Sequence, residues 1–486
     1  MKNIVGSRIL SLQIHPNLQM IPKKQNILSQ HILMEFVLLN ISIALVFYFK
    51  NYDIFSTSKY YTALDDIIKL AVIFNLTWGQ IVLLNGELDL YINSKITKRI
   101  KYIILNTFLF VGMASTIAIL FKLEYFNRTS FLLPIFLFST LNLILFSALA
   151  FYNKRKYNDS GFSSALLILG NKSKWKHITP FSQKIREHGY NIVGFISDKN
   201  GNTNASGLNG LGEIEALNEV IKSNKVDEIF VASSMKKRKL KSIFEIADYQ
   251  GVRVNLIPKA HHFAGTKMKS YDLGGLSVFP HRRTPLDDFN NYLLKRTFDI
   301  FFSLAVLILL YPMFLLIAFI IIMDGKGAVM YMPMRKGEAG KTFRCYKFRS
   351  MSVCDDIVNG TKSTTKNDPR ITRIGKFLRR TGLDELPQFY NVLIGDMSVV
   401  GPRPHRSDLQ NDFRKIINDY MVRSYVKPGI TGWAQVNGWR GPTKTLEQKQ
   451  ERIKHDLWFI ENWSFFLDIK IIFLTVFSKK TWENAF

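Results

Sequence analysis

The sequence predicts a three-part membrane protein: an α-helical bundle of four spans, an α/β Rossmann-like domain, and an α+β domain tied to the bilayer by a re-entrant membrane helix. Three observations predict it. Four long apolar runs lie within residues 32–152 of the 486-residue chain. Short β-rich stretches alternate with helical patterns over 165–257. A further apolar run, 300–323, is interrupted by Pro312 and flanked on both sides by Lys and Arg. The predicted boundaries are 1–155 for the bundle, 156–260 for the Rossmann-like domain, 261–290 for a linker and 291–486 for the last domain, whose hairpin covers 292–323.

Composition narrows the class. The chain is 47% hydrophobic yet carries a formal charge of +27. That combination points to a membrane protein whose cations face anionic lipid or phosphate ligands, and away from a soluble nucleic-acid binder. Cys345 and Cys354 are too few for a disulfide framework and lack metal-ligand spacing, so both are expected reduced. The polar, basic stretch 1–30 does not read as a cleaved signal peptide.

The four apolar runs are 32–49, 67–84, 102–121 and 131–152, and Glu35 and Lys69 near run ends are almost the only charges inside them. Each approaches the ~20 residues a bilayer requires. Lys2, Arg8, Lys23 and Lys24 precede the first run, Lys95, Lys98, Arg99 and Lys101 the third, and Lys154, Arg155 and Lys156 follow the fourth. By the positive-inside rule, the N-terminus and everything after residue 152 lie in the cytoplasm of a multi-pass inner-membrane protein.

Strands are expected at 165–169, 191–196, 228–232 and 252–257, with helices near 174–188, 214–223 and 236–249. Such alternation builds a parallel sheet. The first turn, Leu169-Gly170-Asn171-Lys172-Ser173, lacks the glycine triplet of a dinucleotide site, which favours a structural or regulatory module.

The run 300–323 is long enough to span. A crossing would put Lys326, Arg335, Lys336 and Lys341 outside, whereas Lys295 and Arg296 precede it, so a Pro-kinked hairpin that enters and leaves on the cytoplasmic face is favoured over a fifth span. Next, 341–351 alternates as a strand, with Lys347 and Arg349 on one face and Arg344 on the other. Arg370, Arg373, Lys376, Arg379 and Arg380 share a stretch with Ile371, Ile374, Phe377 and Leu378, marking a basic amphipathic helix. Lipid headgroups account for such a face as well as a substrate phosphate does. Asp384 and Glu385 then open what reads as a helix, because Pro387 is tolerated in a first turn, and Gly401-Pro402-Arg403-Pro404 follows. An acidic pair there is also a plain charge preference of a helix start. The run 463–477 is short and carries Asp468 and Lys470, so it is either an interfacial helix or a helix of the domain core.

Together these residues resemble a known family. Lys295-Arg296 with Asp299, the stretches 346–351 and 368–375, Asp384-Glu385-Leu386-Pro387-Gln388, Gly395-Asp396-Met397-Ser398, Gly401-Pro402-Arg403-Pro404 and Lys427-Pro428-Gly429-Ile430-Thr431-Gly432-Trp433 are similar, in order, to the bacterial sugar transferases. These are monotopic polyprenyl-phosphate phosphoglycosyl transferases. The stretches 434–441 and 468–473 look most like its undecaprenyl-phosphate glucose phosphotransferases.

The resemblance implies transfer of a hexose-1-phosphate, glucose-1-phosphate first among the expectations, from a UDP-sugar to undecaprenyl phosphate, with release of UMP through an aspartyl phospho-sugar. It implies Asp384 as nucleophile and nearest ligand of Mg²⁺, Glu385 as its support, and Arg379, Arg403, Lys347 and Arg349 as phosphate-binding residues. Asp456 is a possible site residue, although Phe459 stands where members often have Tyr, and Tyr311 stands where some have Ser. Membrane lipids and a second copy are the expected partners, with no nucleic acid. Two other readings stand beside it: a membrane glycosyltransferase that releases UDP, and a non-catalytic scaffold.

Overall fold

The computed structural model describes residues 22–50, 57–84, 96–120, 128–157, 163–169, 178–187, 190–198, 207–232, 235–257, 271–272, 277–352, 368–441 and 445–478. Lys2, Arg8, Lys95, Cys354 and the turn at 170–173 lie outside them. The chain divides into two compact units, one centred on the N-terminal helices and one holding most of the sheet domain and all of the C-terminal region.

Four helices, Pro22–Lys50, Thr57–Leu84, Ile96–Leu120 and Arg128–Tyr157, make the first unit's core. Three contain stretches long and apolar enough to cross a membrane, Gln30–Phe49, Ile100–Ile119 and Phe131–Leu149. In the second helix the apolar stretch among the described residues is Ile67–Val82. The chain thus has three to four candidate spans. The rings of Phe74, Trp78, Phe110 and Phe138 meet edge to face at their centre, with centroids 4.8–6.1 Å apart. Polar pairs join the helices where an apolar surround offers no water: Asn40 with Asn75 at 3.0 Å, Thr107 with Ser139 at 2.9 Å, and the Trp78 indole donating to Glu35 at 3.2 Å.

The second unit begins with a sheet whose first five strands are β1 (Ser163–Leu169), β2 (Tyr190–Ser197), β3 (Gly210–Glu213), β4 (Glu228–Val231) and β5 (Arg253–Leu256). Their order is β3-β2-β1-β4-β5, with parallel registers for β1/β4, β4/β5 and β2/β3. This is the order of a doubly wound sheet, with the switch of direction between β1 and β4. Leu166, Ile168, Ile229, Val231 and Val254 pack against Ile243 and Ala247 of the helix Lys237–Gln250. The linker expected over 261–290 is in part structured: Ser277–Pro280 pairs antiparallel with β5, because its alternating Val278 and Pro280 bury one face.

A break separates the helices Phe289–Leu309 and Tyr311–Asp324, which bend by 61°. Pro312 sits in the first turn of the second, where its missing N–H costs nothing. Phe302, Val306 and Leu307 of the first helix pack on the C-terminal core, and Ile317 and Ile321 of the second pack on Phe348 and Leu378. The remaining faces expose Phe301, Ile308, Leu315, Leu316, Phe319 and Ile322, an apolar surface far too large to be left in water. In the C-terminal helix Phe465–Phe477, Asp468 and Ile471 are fully buried, as the core reading expects, while Phe466, Phe473 and Phe477 are exposed.

Around these helices the C-terminal core is built from short pieces. The strand expected over 341–351 is two strands, Thr342–Arg344 and Lys347–Phe348. Asn391 splits them by accepting from the Tyr346 amide at 2.9 Å and donating to the Arg344 carbonyl at 2.7 Å. The segments Ser398–Val400 and Gly429–Thr431 pair in parallel, and a Cβ on Gly429 would lie 2.0 Å from the Gly401 nitrogen, so this approach requires glycine.

Candidate active site

The basic helix runs from Arg373 to Thr381, capped by Thr372, whose hydroxyl accepts from Gly375 at 2.9 Å. Gly382 ends it at φ +72°, and Asp384 and Glu385 follow in a three-residue 3₁₀ turn, Leu383–Glu385. The carboxylates therefore precede the next helix, Gln388–Ile394, rather than open it, and Pro387 is its N-cap. Both are buried, at 8% and 7% exposure, within a ring of cations.

The two acids are treated differently. Lys347 reaches Glu385 Oε1 at 2.7 Å, and Arg403 grips both oxygens, at 2.6 and 3.1 Å. Arg440 lies 4.0 Å from Oε2. Burial pushes the Glu385 carboxyl up, but Arg403 and Lys347 prevail and hold it well below the usual range. No described hydrogen bond or ion pair ends on Asp384. Burial, and then the Glu385 charge, raise its pKa to about 6, against the opposing pull of Lys347, Arg379 and Arg403. At neutral pH it is mostly ionised, desolvated and unpartnered, which are the attributes of a nucleophile.

Arg379 stands beside the pair. Its Nε donates to Ser350 Oγ at 2.9 Å, and burial lowers its pKa while Asp384 opposes. Burial likewise lowers Arg335 and Arg440, cations of the same neighbourhood with too little carboxylate around them. Against two carboxylates the site holds Lys347, Arg379, Arg403 and Arg440. That surplus suits a ligand with two or more phosphate charges, and guanidiniums match phosphate oxygens in pairs.

Lys347, Arg379, Arg403, Asp384 and Glu385 are thus brought together as the sequence predicts. Arg349 is not among them. Its guanidinium donates to the carbonyls of Ile321, Gly325 and Lys326, at 2.9, 2.6 and 2.9 Å, closing the C-terminal end of the hairpin. The strand ends at Phe348, so alternation no longer places Arg349 beside Lys347. Asp456 is also away from the carboxylate turn. Buried in the helix Leu446–Glu461, it accepts from Arg423 Nε at 2.8 Å. Arg335 and Arg440 carried no signal in spacing that separated them from other surface arginines, although Arg440 falls in the stretch 434–441 already singled out. Phe459 is core, 1% exposed.

Among the described residues no group of three or more His, Cys, Asp or Glu side chains could hold a metal alone. A single open carboxylate nevertheless fits Mg²⁺ held mostly by substrate phosphates and water.

The bacterial sugar transferase family matches residues 290–480, and a CoA-binding domain family matches 88–258. The UDP-glucose:undecaprenyl-phosphate glucose-1-phosphate transferase of Escherichia coli K12 is 44% identical over 268 residues, 55% of this chain and 57% of that protein. The protein of the same name from Klebsiella pneumoniae is 40% identical over 330 residues, 67% of this chain and 68% of its own length. The UDP-N-acetylgalactosamine-undecaprenyl-phosphate N-acetylgalactosaminephosphotransferase of Aeromonas hydrophila is 40% identical over 183 residues, 38% of this chain and 43% of that protein. With the family's segment covering the hairpin, the carboxylate turn and the arginine loop, the chain belongs to the bacterial sugar transferases.

Proposed function

We propose that the protein transfers a hexose-1-phosphate, glucose-1-phosphate first, from a UDP-sugar to undecaprenyl phosphate at the cytoplasmic face of the inner membrane, an early step of polysaccharide assembly. The observation that carries this reading is the division of labour in the carboxylate turn: Glu385 tied to Lys347 and Arg403, Asp384 left open. An Asp384 oxygen attacks the phosphorus bonded to the sugar, the P–O bond to UMP breaks, and UMP leaves. A phosphate oxygen of undecaprenyl phosphate then attacks the same phosphorus, the acyl–phosphate bond breaks, and the carboxylate is restored. Arg379 and Arg403 offset the charge that gathers at phosphorus, and Lys347 keeps Glu385 ionised. Asp384 would hold Mg²⁺, which would supply charge neutralisation to the phosphates.

The exposed apolar faces of the broken helix and of Phe465–Phe477 support a re-entrant seat in the bilayer, which brings a lipid phosphate to the level of the site. The relatives include enzymes named for glucose and for N-acetylgalactosamine, so the sugar rests on pocket contacts. The test is product analysis with membranes holding the protein, UDP-glucose, Mg²⁺ and undecaprenyl phosphate. UMP together with a diphosphate-linked lipid is expected; UDP would assign a simple glycosyltransferase, and lipid binding without either nucleotide a scaffold.

A further inference from the structure

The loop 401–405 carries Arg403, yet two prolines leave it only three backbone N–H groups with which to hold itself. Gly401 N–H donates to the Thr431 carbonyl at 2.8 Å, the Pro402 carbonyl accepts from Gly429 at 3.0 Å, and the His405 carbonyl accepts from Lys336 at 3.1 Å. Nothing in that set fixes the peptide of Arg403 itself. Arg423 does so. Its guanidinium, 8% exposed, donates from Nη2 to the Arg403 carbonyl at 2.8 Å and from Nη1 to His405 Nδ1 at 3.1 Å and the Tyr420 hydroxyl at 3.2 Å. Its Nε is taken by Asp456 Oδ2 at 2.8 Å. Burial, reinforced by Arg423 and the neighbouring arginines, holds His405 well below its usual pKa, so it is neutral and accepts at Nδ1.

We infer that Arg423 is a positioning residue for the proposed transfer: braced by Asp456, it locks the Arg403 peptide so that the Arg403 guanidinium meets Glu385 in register. This rests on the phospho-transfer reading only for its kinetic consequence. It also gives Asp456 a role one bond removed from the chemistry. The segment Asn418–Tyr425 that carries Arg423 is itself pinned from the far side, where Tyr425 donates to the Val252 carbonyl at 3.2 Å and Arg253 stacks on the Tyr425 ring at 4.6 Å.

The test uses the full-length protein in detergent with Arg423→Lys and Asp456→Asn, and two measurements. The first is amide exchange by mass spectrometry over 399–407, with strand Glu228–Val231 as the control for general unfolding. The second is steady-state UMP release across UDP-sugar concentrations, which separates kcat from KM. We expect Arg423→Lys to exchange about tenfold faster in the loop, with the control unchanged, and to lose about tenfold in kcat/KM, most of it as a rise in KM because Arg403 is no longer held in place. Asp456→Asn, which keeps an acceptor, should lose about threefold, and the double variant should fall short of the product of the two. Loss of activity with loop exchange as in wild type would overturn the assignment. If wild type releases no UMP while the Arg423→Lys loop still opens, the brace stands and the phospho-transfer reading falls.

Discussion

Two regions of the C-terminal domain bury charge, and they do it in opposite ways. At the root of the hairpin, Lys295 bonds Asp468 Oδ2 at 2.6 Å and the Val400 carbonyl at 3.0 Å, Asp299 accepts from the Val399 amide at 3.0 Å, and Arg296 donates to the carbonyls of Val392 and Leu393. Every charged group there meets an opposite charge or a backbone dipole, and the result is an anchor between the membrane helix and the core. At the carboxylate turn the same residue types are left out of balance: cations exceed acids, and no described hydrogen bond or ion pair ends on Asp384. Matched burial holds structure; unmatched burial stores the potential to bind and react.

The largest effect that could break this comparison is at Asp384. Asp384→Asn should reduce UMP release by about a thousandfold or more, since the attacking oxygen is lost. It should also stabilise the protein. A carboxyl whose pKa rises from 3.8 unfolded to about 6 folded binds more protons in the native state between those values, so stability falls as pH climbs from 4 to 6 and the loss is complete at pH 7. Asn never ionises and escapes a cost on the order of 2–3 kcal/mol, which thermal unfolding of the purified protein would detect. Lys295→Met should do the reverse, costing about 3–5 kcal/mol because Asp468 stays buried without its partner. If both substitutions destabilised equally, the distinction between anchor and site would be lost.

Arg403→Lys sharpens the comparison next. Lysine cannot bridge both Glu385 oxygens, and a loss of about a hundredfold in kcat/KM is expected from a single displaced phosphate donor. In wild type, kcat/KM should drop tenfold per unit below about pH 6, as Asp384 takes up its proton. A profile flat down to pH 4.5 would remove Asp384 as the titrating group.

The fold was legible in the sequence wherever periodicity ran long. Four apolar runs and the alternation over 165–257 each span enough residues for pattern to outweigh local accident, and the structure places helices and strands there within a few residues. The second run lies inside a helix as expected, with 67–82 its apolar stretch among the described residues. The site was legible as far as motifs fixed neighbours: Asp384, Glu385, Arg379, Arg403 and Lys347 do converge. What pattern could not foresee was set by single tertiary bonds. Asn391 interrupts the strand, Gly382 delays the helix past the carboxylates, and the hairpin's last carbonyls draw Arg349 away.

Arg349 supplies the smallest test. It lies two residues from Lys347, where strand alternation puts both on one face, and is of one residue type with Arg403. Its three carbonyl acceptors belong to the hairpin's exit, and a Cβ on Gly327 would sit 2.3 Å from its Nη1, so the pocket is shaped to the planar guanidinium. Lysine there can keep one of the three bonds. Arg349→Lys should therefore cost about 1–2 kcal/mol of stability and leave KM for the UDP-sugar and the acid limb near pH 6 where they are in wild type. The same change at Arg403 should do the opposite, sparing stability and losing turnover. A rise in KM for Arg349→Lys without loss of stability would return Arg349 to the phosphate site and make the hairpin's exit part of the substrate pocket.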